Sequence, residues 1–339
     1  MKIPGCDAGP CARRVPGAKL RRMTPVLAIH GGAGTMAPSS MDAEADRAHR
    51  AGLHRALLAG HRVIAAGGPA IEAVTAAVVA LEDDPLFNAG HGAVFTRNGQ
   101  HEMDAAVMEG ATLRIGAVAG VCGPCNPVLA ARAVMEHSPH ILLAGLGALG
   151  FLRDHGVTFA DAEYFYTAQR WKAMQAVLLA KAKFNADLDD ADLDDADRHG
   201  TVGAVALDQA GNLAAATSTG GMTGKLPGRI GDTPVPGAGT WADAACAMSA
   251  TGHGESFVRI AASHELSARM RLAGEDLDTA AAAVMAALAA VGGTGGFVAV
   301  DRAGRVSLPF NTRGMHRGVV GADGAARTGI YREPLQLFA

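Results

Sequence analysis

The stretch HGTVGAVALDQAGNLAAATSTGG, residues 199–221, decides the fold. Segments 201–208 and 212–218 carry short apolar and β-branched residues, and Asp208-Gln209-Ala210-Gly211 between them is a turn signal, so the pair reads as an antiparallel hairpin. The same pattern returns in GGFVAVDRAGRVSLPF, residues 295–310. Two such hairpins in one half predict antiparallel sheet. Between them, a helix is expected from Glu255 to about Met270, and an alanine-rich one over 278–291. The second leaves little polar face and so predicts burial between layers. Sheets covered by helices are the expected build, an α+β protein.

Upstream of the hairpin, 187–197 holds seven Asp in eleven positions. It lacks the Gly and distal Glu of an EF-hand loop, so 184–200 reads as a solvated acidic connector. Farther upstream, 26–29 reads as a strand feeding the HGGAG turn at 30–34. Helices follow over 41–66 and 69–81, with Gly67-Gly68 between them. Short strands are expected at 92–96, 105–108 and 113–121. Asn126 as N-cap and Pro127 at the first helical position then open a helix that ends before Ser138-Pro139. Residues 1–22 carry Lys2, Arg13, Arg14, Lys19, Arg21 and Arg22 against Asp7 and no apolar signal core, which predicts a disordered extension ahead of one structural domain, 23–339.

Composition excludes several classes of function. The 339 residues carry 30 Lys plus Arg against 33 Asp plus Glu, a net charge of -3, and only 19% are charged, so no basic face is available for nucleic acid. The longest apolar run, 280–291, falls short of the roughly 20 residues that cross a bilayer. Five cysteines (Cys6, Cys11, Cys122, Cys125, Cys246) are an odd number for an extracellular framework and fit a reducing compartment, the cytoplasm. Aromatics at 4% beside 44 Gly predict tightly apposed elements rather than bulky packing.

Two motifs point elsewhere. CGPC at 122–125 has the spacing of a disulfide-exchange pair, but Asn126-Pro127 starts the helix after both thiols, so neither gains acidity from a helix N-terminus. GLGALG at 145–150 matches a dinucleotide fingerprint and keeps a nucleotide-binding oxidoreductase open as an alternative. The following HGVTFADAEYF reads as loop and helix start, not as the second strand with an acidic end that such a unit needs, which favours close packing of small residues. No G-x-S-x-G is present.

Thr201 carries the chemistry. A threonine hydroxyl is a poor nucleophile unless a base lies beside it. Its own α-amine, with a pKa of about 7.7–8.0, would serve once the chain is cut before it. Gly200 and the acidic connector are where such a cut could be tolerated.

HGGAG, FNAGHGAVFT (87–96), the run from Thr201 through GDTPVPGAG, TGHGE (251–255) and PFNTRGM (309–315) together make the chain resemble the plant-type asparaginase or isoaspartyl peptidase family of N-terminal nucleophile hydrolases. The resemblance runs from about Pro25 past Arg317. It implies a four-layer αββα sandwich, made as a precursor that cuts itself between Gly200 and Thr201 into an α part, 23–200, and a β part, 201–339. It implies Thr201 as nucleophile, Thr219 orienting its hydroxyl, and an oxyanion hole from the Thr251 hydroxyl and Gly252 N–H. It further implies Arg229 on the substrate α-carboxylate, Asp232 on its α-ammonium, help from the Gly252 and Gly254 region, and Asn88 bracing the nucleophile. The position of Thr251-Gly252 ahead of an expected helix supports the oxyanion assignment.

No cofactor is expected for catalysis. A structural sodium ion is implied on the backbone carbonyls of Leu81, Glu82, Asp84, Phe87, Ala89 and His91, although these residues alone read equally as a glycine turn. The implied activity is attack on the side-chain amide of asparagine or a β-aspartyl dipeptide, by a dimer of αβ units. Glycosylasparaginase is the nearest alternative within the same fold, and a catalytically dead scaffold is the last.

Overall fold

The computed structural model describes residues 23–34, 41–183 and 200–338. The expected extension, with Cys6 and Cys11, and the connector up to residue 199 lie outside the described residues. The strands in chain order are β1 (Val26–Gly34), β2 (Met103–Glu109), β3 (Ile115–Val121), β4 (Leu142–Ala144), β5 (Val202–Leu207), β6 (Leu213–Thr219), β7 (Thr240–Ala242), β8 (Cys246–Gly252), β9 (Gly295–Asp301), β10 (Val306–Ser307), β11 (Gly314–Val320), β12 (Arg327–Gly329) and β13 (Gln336–Leu337). The expected hairpins are β5–β6, with Val202 opposite Ser218, and β9–β10. A nine-stranded sheet has the order β13-β12-β11-β1-β5-β6-β2-β3-β4, and a four-stranded one β10-β9-β8-β7.

Helices α1 (Ala43–Ala65), α2 (Ala70–Glu82) and α3 (Pro127–His137) precede the hairpin, with α4 (Gly145–Asp154), α5 (Ala162–Phe165) and α6 (Ala168–Lys183); α7 (Gly254–Arg259), α8 (Ala262–Ala268) and α9 (Leu277–Ala290) follow it. Asp42 accepts from the Ala45 N–H and Asp276 from the Thr279 N–H, so α1 and α9 start on side-chain caps. Pro127 is the first residue of α3, as expected.

Alternation along the strands sorts the core into three interfaces. Leu27 and Ile29 face Leu53 and Leu57 of α1 and Val74 and Val78 of α2. Ala28, Val205 and Leu207 meet Ala247, Val298 and Val300 of the second sheet. The far side of that sheet, Met248, Ala250 and Phe297, is covered by Leu266 of α8 and by Leu277, Val284 and Leu288 of α9.

Several local expectations change. The helix expected from Glu255 is broken: α7 ends, Ala261 turns left-handed at φ 47°, and the chain resumes as α8 and a π-turn at Arg269–Ala273. The Ser263 and His264 N–H groups bond the Ala238 and Gly237 carbonyls, so the contact with that loop redirects the chain. Helix α9 covers only one side of its sheet, with Ala282, Ala286, Ala289 and Ala290 exposed, because methyl groups cost little in water. The strand expected at 92–96 is a 3₁₀ turn, Gly90–Gly92, followed by a bridge from Thr96 to Lys225. GLGALG forms the first turns of α4 with open space around Gly147 and Gly150, so it is not a close-packing site. Among the described residues no helix is long and apolar enough to cross a membrane.

Candidate functional site

Hairpin register brings Thr201 and Thr219 together, one residue beyond the Val202–Ser218 pair. The Thr201 Oγ1 donates to Thr219 Oγ1 at 3.1 Å, and the Thr219 hydroxyl donates to the Gly200 carbonyl at 3.2 Å. The Gly221 N–H in turn donates to Thr219 Oγ1 at 2.9 Å. All three groups on the two threonines and Gly200 are buried. HGGAG, expected as a turn, is instead the end of β1, bulged between His30 and Gly32 and paired with β11 as far as Gly34, and it closes over them: a Cβ on Gly32 would stand 2.9 Å from Gly200 Cα, a contact only glycine permits.

Asn88 braces the same loop. Its side chain donates to the Gly221 carbonyl at 2.7 Å and accepts from the Val94 N–H, and its own carbonyl accepts from the Gly220 N–H. Thr251 Oγ1 accepts from the Ala33 N–H at 3.2 Å, next to Gly32, whose own neighbours are Gly200 and Thr201. Thr251 and Gly252 are the last residues of β8, opposite Gly296 and Gly295. They are strand rather than the leading turn of a helix, and α7, six residues long, starts only at Gly254. The dipole support expected for the oxyanion hole is therefore slight.

Arg229, Asp232 and Gly254 converge. A Cβ on Gly254 would lie 2.7 Å from Asp232 Oδ1 and 3.2 Å from Arg229 Nη2, so the missing side chain leaves the space between them open. The Arg229 fork is turned to Glu255, Nε to Oε1 at 2.9 Å and Nη2 to Oε2 at 2.7 Å. Burial opposes ionisation of Glu255, but this fork outweighs it and holds the carboxyl at about 2. Asp232 behaves oppositely. Burial lifts its carboxyl to about 7, only partly offset by a backbone hydrogen bond and Arg229, and its buried Oδ2 has no hydrogen-bond partner. A cavity of about 370 Å³ opens beside the pair, lined by Arg97, Met222, Lys225, Leu226, Arg229 and Glu255.

Leu81 and Glu82 end α2, and residues 83–91 wrap as a tight loop after it. The Leu81 carbonyl accepts from the Asp83 and Asp84 N–H groups, and the carbonyls of Asp84, Phe87 and Ala89 each accept a local N–H bond. The Asp84 carboxylate is paired with Arg55 at 2.6 Å, and the His91 ring stacks on Tyr164. Glu82 Oε1 accepts from the Val128 N–H. The side chains are thus engaged elsewhere, and among the described residues no group of three His, Cys, Asp or Glu stands at metal-binding spacing. Cys122 and Cys125 are free, and burial first, then Glu102 and Asp83 respectively, pushes their thiols above the usual value, opposite to a redox-active pair.

Sequence reasoning overlooked His30, Ser249 and Glu255. The His30 ring sits between residues 171 and 219 positions away, and no local spacing announces such partners. Glu255 reads from sequence only as the start of a helix.

The α+β scaffold thus carries a buried, hydrogen-bonded threonine pair and an Arg229–Asp232 couple that converges on Gly254. Residues 23–330 match the family model described as asparaginase, and the chain belongs to that family. It is 49% identical over 310 residues to the isoaspartyl peptidase of Salmonella typhimurium, covering 91% of this chain and 99% of that one. The Escherichia coli isoaspartyl peptidase is 49% identical over 313 residues, 91% of this chain and 96% of its own length. An isoaspartyl peptidase/L-asparaginase of Xenopus laevis is 39% identical over 310 residues, 91% and 96% of the two chains.

Proposed function

We propose that the chain is an isoaspartyl peptidase with L-asparaginase activity, activated by cleavage between Gly200 and Thr201. The observation that carries this reading is the relay from the Thr201 hydroxyl through Thr219 to the Gly200 carbonyl. In the continuous chain the Thr201 nitrogen is an amide and cannot act as base. Thr201 Oγ1 gives its proton up through Thr219 as it attacks the Gly200 carbonyl carbon, negative charge gathers on the oxygen that Thr219 already donates to, and the C–N bond then breaks as the Thr201 nitrogen takes that proton, leaving a Gly200 ester on Thr201 Oγ1 and a free Thr201 amine. Water hydrolyses that ester, giving a Gly200 carboxylate and restoring the Thr201 hydroxyl beside its now free amine. The products are an α part, 1–200, whose structured portion begins at 23, and a β part, 201–339.

The freed amine takes the Thr201 hydroxyl proton as the oxygen attacks the substrate side-chain carbonyl. Thr251 and the Gly252 N–H hold the oxyanion. The proton passes to the departing ammonia or amine, and water then releases L-aspartate from the β-aspartyl ester. Arg229 grips the α-carboxylate, which competes with Glu255 for the same fork. Asp232 accepts the α-ammonium, which supplies the partner its Oδ2 lacks, and the Gly254 carbonyl assists.

The three buried interfaces support a four-layer αββα sandwich of the N-terminal nucleophile type. Carbonyl oxygens suit a hard cation, and to those of Leu81, Glu82, Asp84, Phe87, Ala89 and His91, at the end of α2 and in the loop after it, we assign a structural sodium ion. A dimer of αβ units in the cytoplasm completes the proposal.

Intact-mass measurement tests the cut, with two fragments divided before Thr201 expected. Thr201→Ala should remain one chain and hydrolyse neither β-aspartyl dipeptides nor asparagine, and efficient turnover by that variant would refute the mechanism. N-acetylglucosaminyl-asparagine, assayed beside them, should be the poorest substrate.

A further inference from the structure

We infer that His30 is a positioning residue for Thr201, the end of a buried, one-directional chain of hydrogen bonds that anchors the nucleophile's own carbonyl; this rests on Thr201 being the nucleophile. His30 Nδ1 lies 2.8 Å from the Thr201 carbonyl oxygen, and Nε2 lies 2.8 Å from Ser249 Oγ. A carbonyl only accepts, so Nδ1 carries the proton and Nε2 accepts from the Ser249 hydroxyl. Ser249, having spent its proton, accepts from Thr217 at 2.7 Å, and Thr217 accepts from Thr240 at 2.6 Å. The chain runs from β7 through β6 and β8 to β1, and at its head the single Thr240 proton is shared between Thr217 and the Thr233 carbonyl, 3.1 Å away. Burial moves the imidazole to about 3 against the opposing pull of the Thr201 bond, so the ring stays neutral and keeps this tautomer.

The chain is a built feature. It crosses between the sheets beside an interface of apolar residues such as Ala28, Val205, Ala247 and Val298, and a buried polar chain is costly unless its members are satisfied. Gly203 makes room for it: a Cβ there would stand 1.9 Å from Ser249 Oγ and 2.4 Å from His30 Nε2. The β1–β5 pairing ends at His30–Gly203, and β1 slips register between His30 and Gly32. The imidazole supplies a donor to Thr201 where the ladder has stopped. Its target lies on the far side of Thr201 from the scissile bond, so the anchor survives the cut while the amine is freed.

An asparagine amide nitrogen reaches the position of Nδ1, and a glutamine amide nitrogen that of Nε2. His30→Gln is therefore expected to slow self-cleavage and to lower kcat on a β-aspartyl dipeptide about ten-fold or more with KM changed little, because misplacing a reacting group acts on the chemical step. His30→Asn should recover at least about a third of the wild-type kcat, a split that loss of packing alone would not give. Equal activity of the two variants, or a loss confined to KM, would overturn the inference. If both variants fail to fold, ring ¹⁵N NMR of the wild-type enzyme at pH 7.5 decides. Proton on Nδ1 and a bare Nε2 are expected, and the opposite tautomer at His30 overturns the assignment. A wild type that is neither cut nor active would instead sink the Thr201 reading.

Discussion

Under the proposed recognition of a substrate α-ammonium, Asp232 trades stability for binding. Its carboxyl is held at about 7 against an ordinary value of 3.8, because burial penalises the charge. Between those pH values the fold binds a proton that the unfolded chain has released, so stability falls as pH rises and the loss is complete above about 7. Binding an α-ammonium needs the opposite, an ionised Asp232. Asp232→Asn removes the penalty and the recognition together. The variant should melt with the wild type near pH 4, exceed it at pH 8 by roughly 1–3 kcal/mol at about 1.4 kcal/mol per unit, and bind substrate far more weakly. Paired thermal melts at the two pH values and KM for a β-aspartyl dipeptide check this, and equal melting at pH 8 would contradict it.

At the scale of elements, what the sequence made legible was whatever depends on neighbours in the chain. The 201–219 hairpin follows from alternation and a turn, and the start of α3 from Asn126-Pro127, because both are local. The break at Ala261 was not legible, since it is imposed by the carbonyls of Gly237 and Ala238. Glycine roles also depend on what lies opposite. Gly116 of β3 sits against α3, where a Cβ would meet the Ala131 carbonyl at 2.2 Å and the Met135 nitrogen at 2.5 Å, whereas Gly150 inside α4 faces nothing within 4 Å. Gly116→Ala is expected to cost about 1–3 kcal/mol by overpacking, while Gly150→Ala should gain about 0.5–1 kcal/mol from the lower entropy of the unfolded chain. Denaturant titration of the two variants reads opposite signs, and a destabilised Gly150→Ala would restore the close-packing reading of GLGALG.

For the whole molecule, the order of strands determines what a cut before Thr201 can release. Strand β1 precedes that bond yet is paired with β11 on one side and β5 on the other, both of which follow it. Likewise β6 bonds β2, so chain from the two sides of the bond is interleaved twice in one sheet. Separating the parts would expose both edges of β1, strip Ala204 and Ala206 of β5 from Val74 and Val78 of α2, and split the Ala28–Val300 interface, which makes dissociation equivalent to unfolding. The sequence blocks of the site are scattered for the same reason: HGGAG and FNAG come from one side of the bond, and the threonines, Arg229 and Asp232 from the other. After cleavage both parts should therefore elute together in native size exclusion, at no less than the mass of the uncut chain, and resolve only in denaturant. Residues 201–339 produced alone lack the strand between β5 and β11 and should not fold; a soluble, folded 201–339 fragment eluting by itself would show that the interleaving does not hold the parts together.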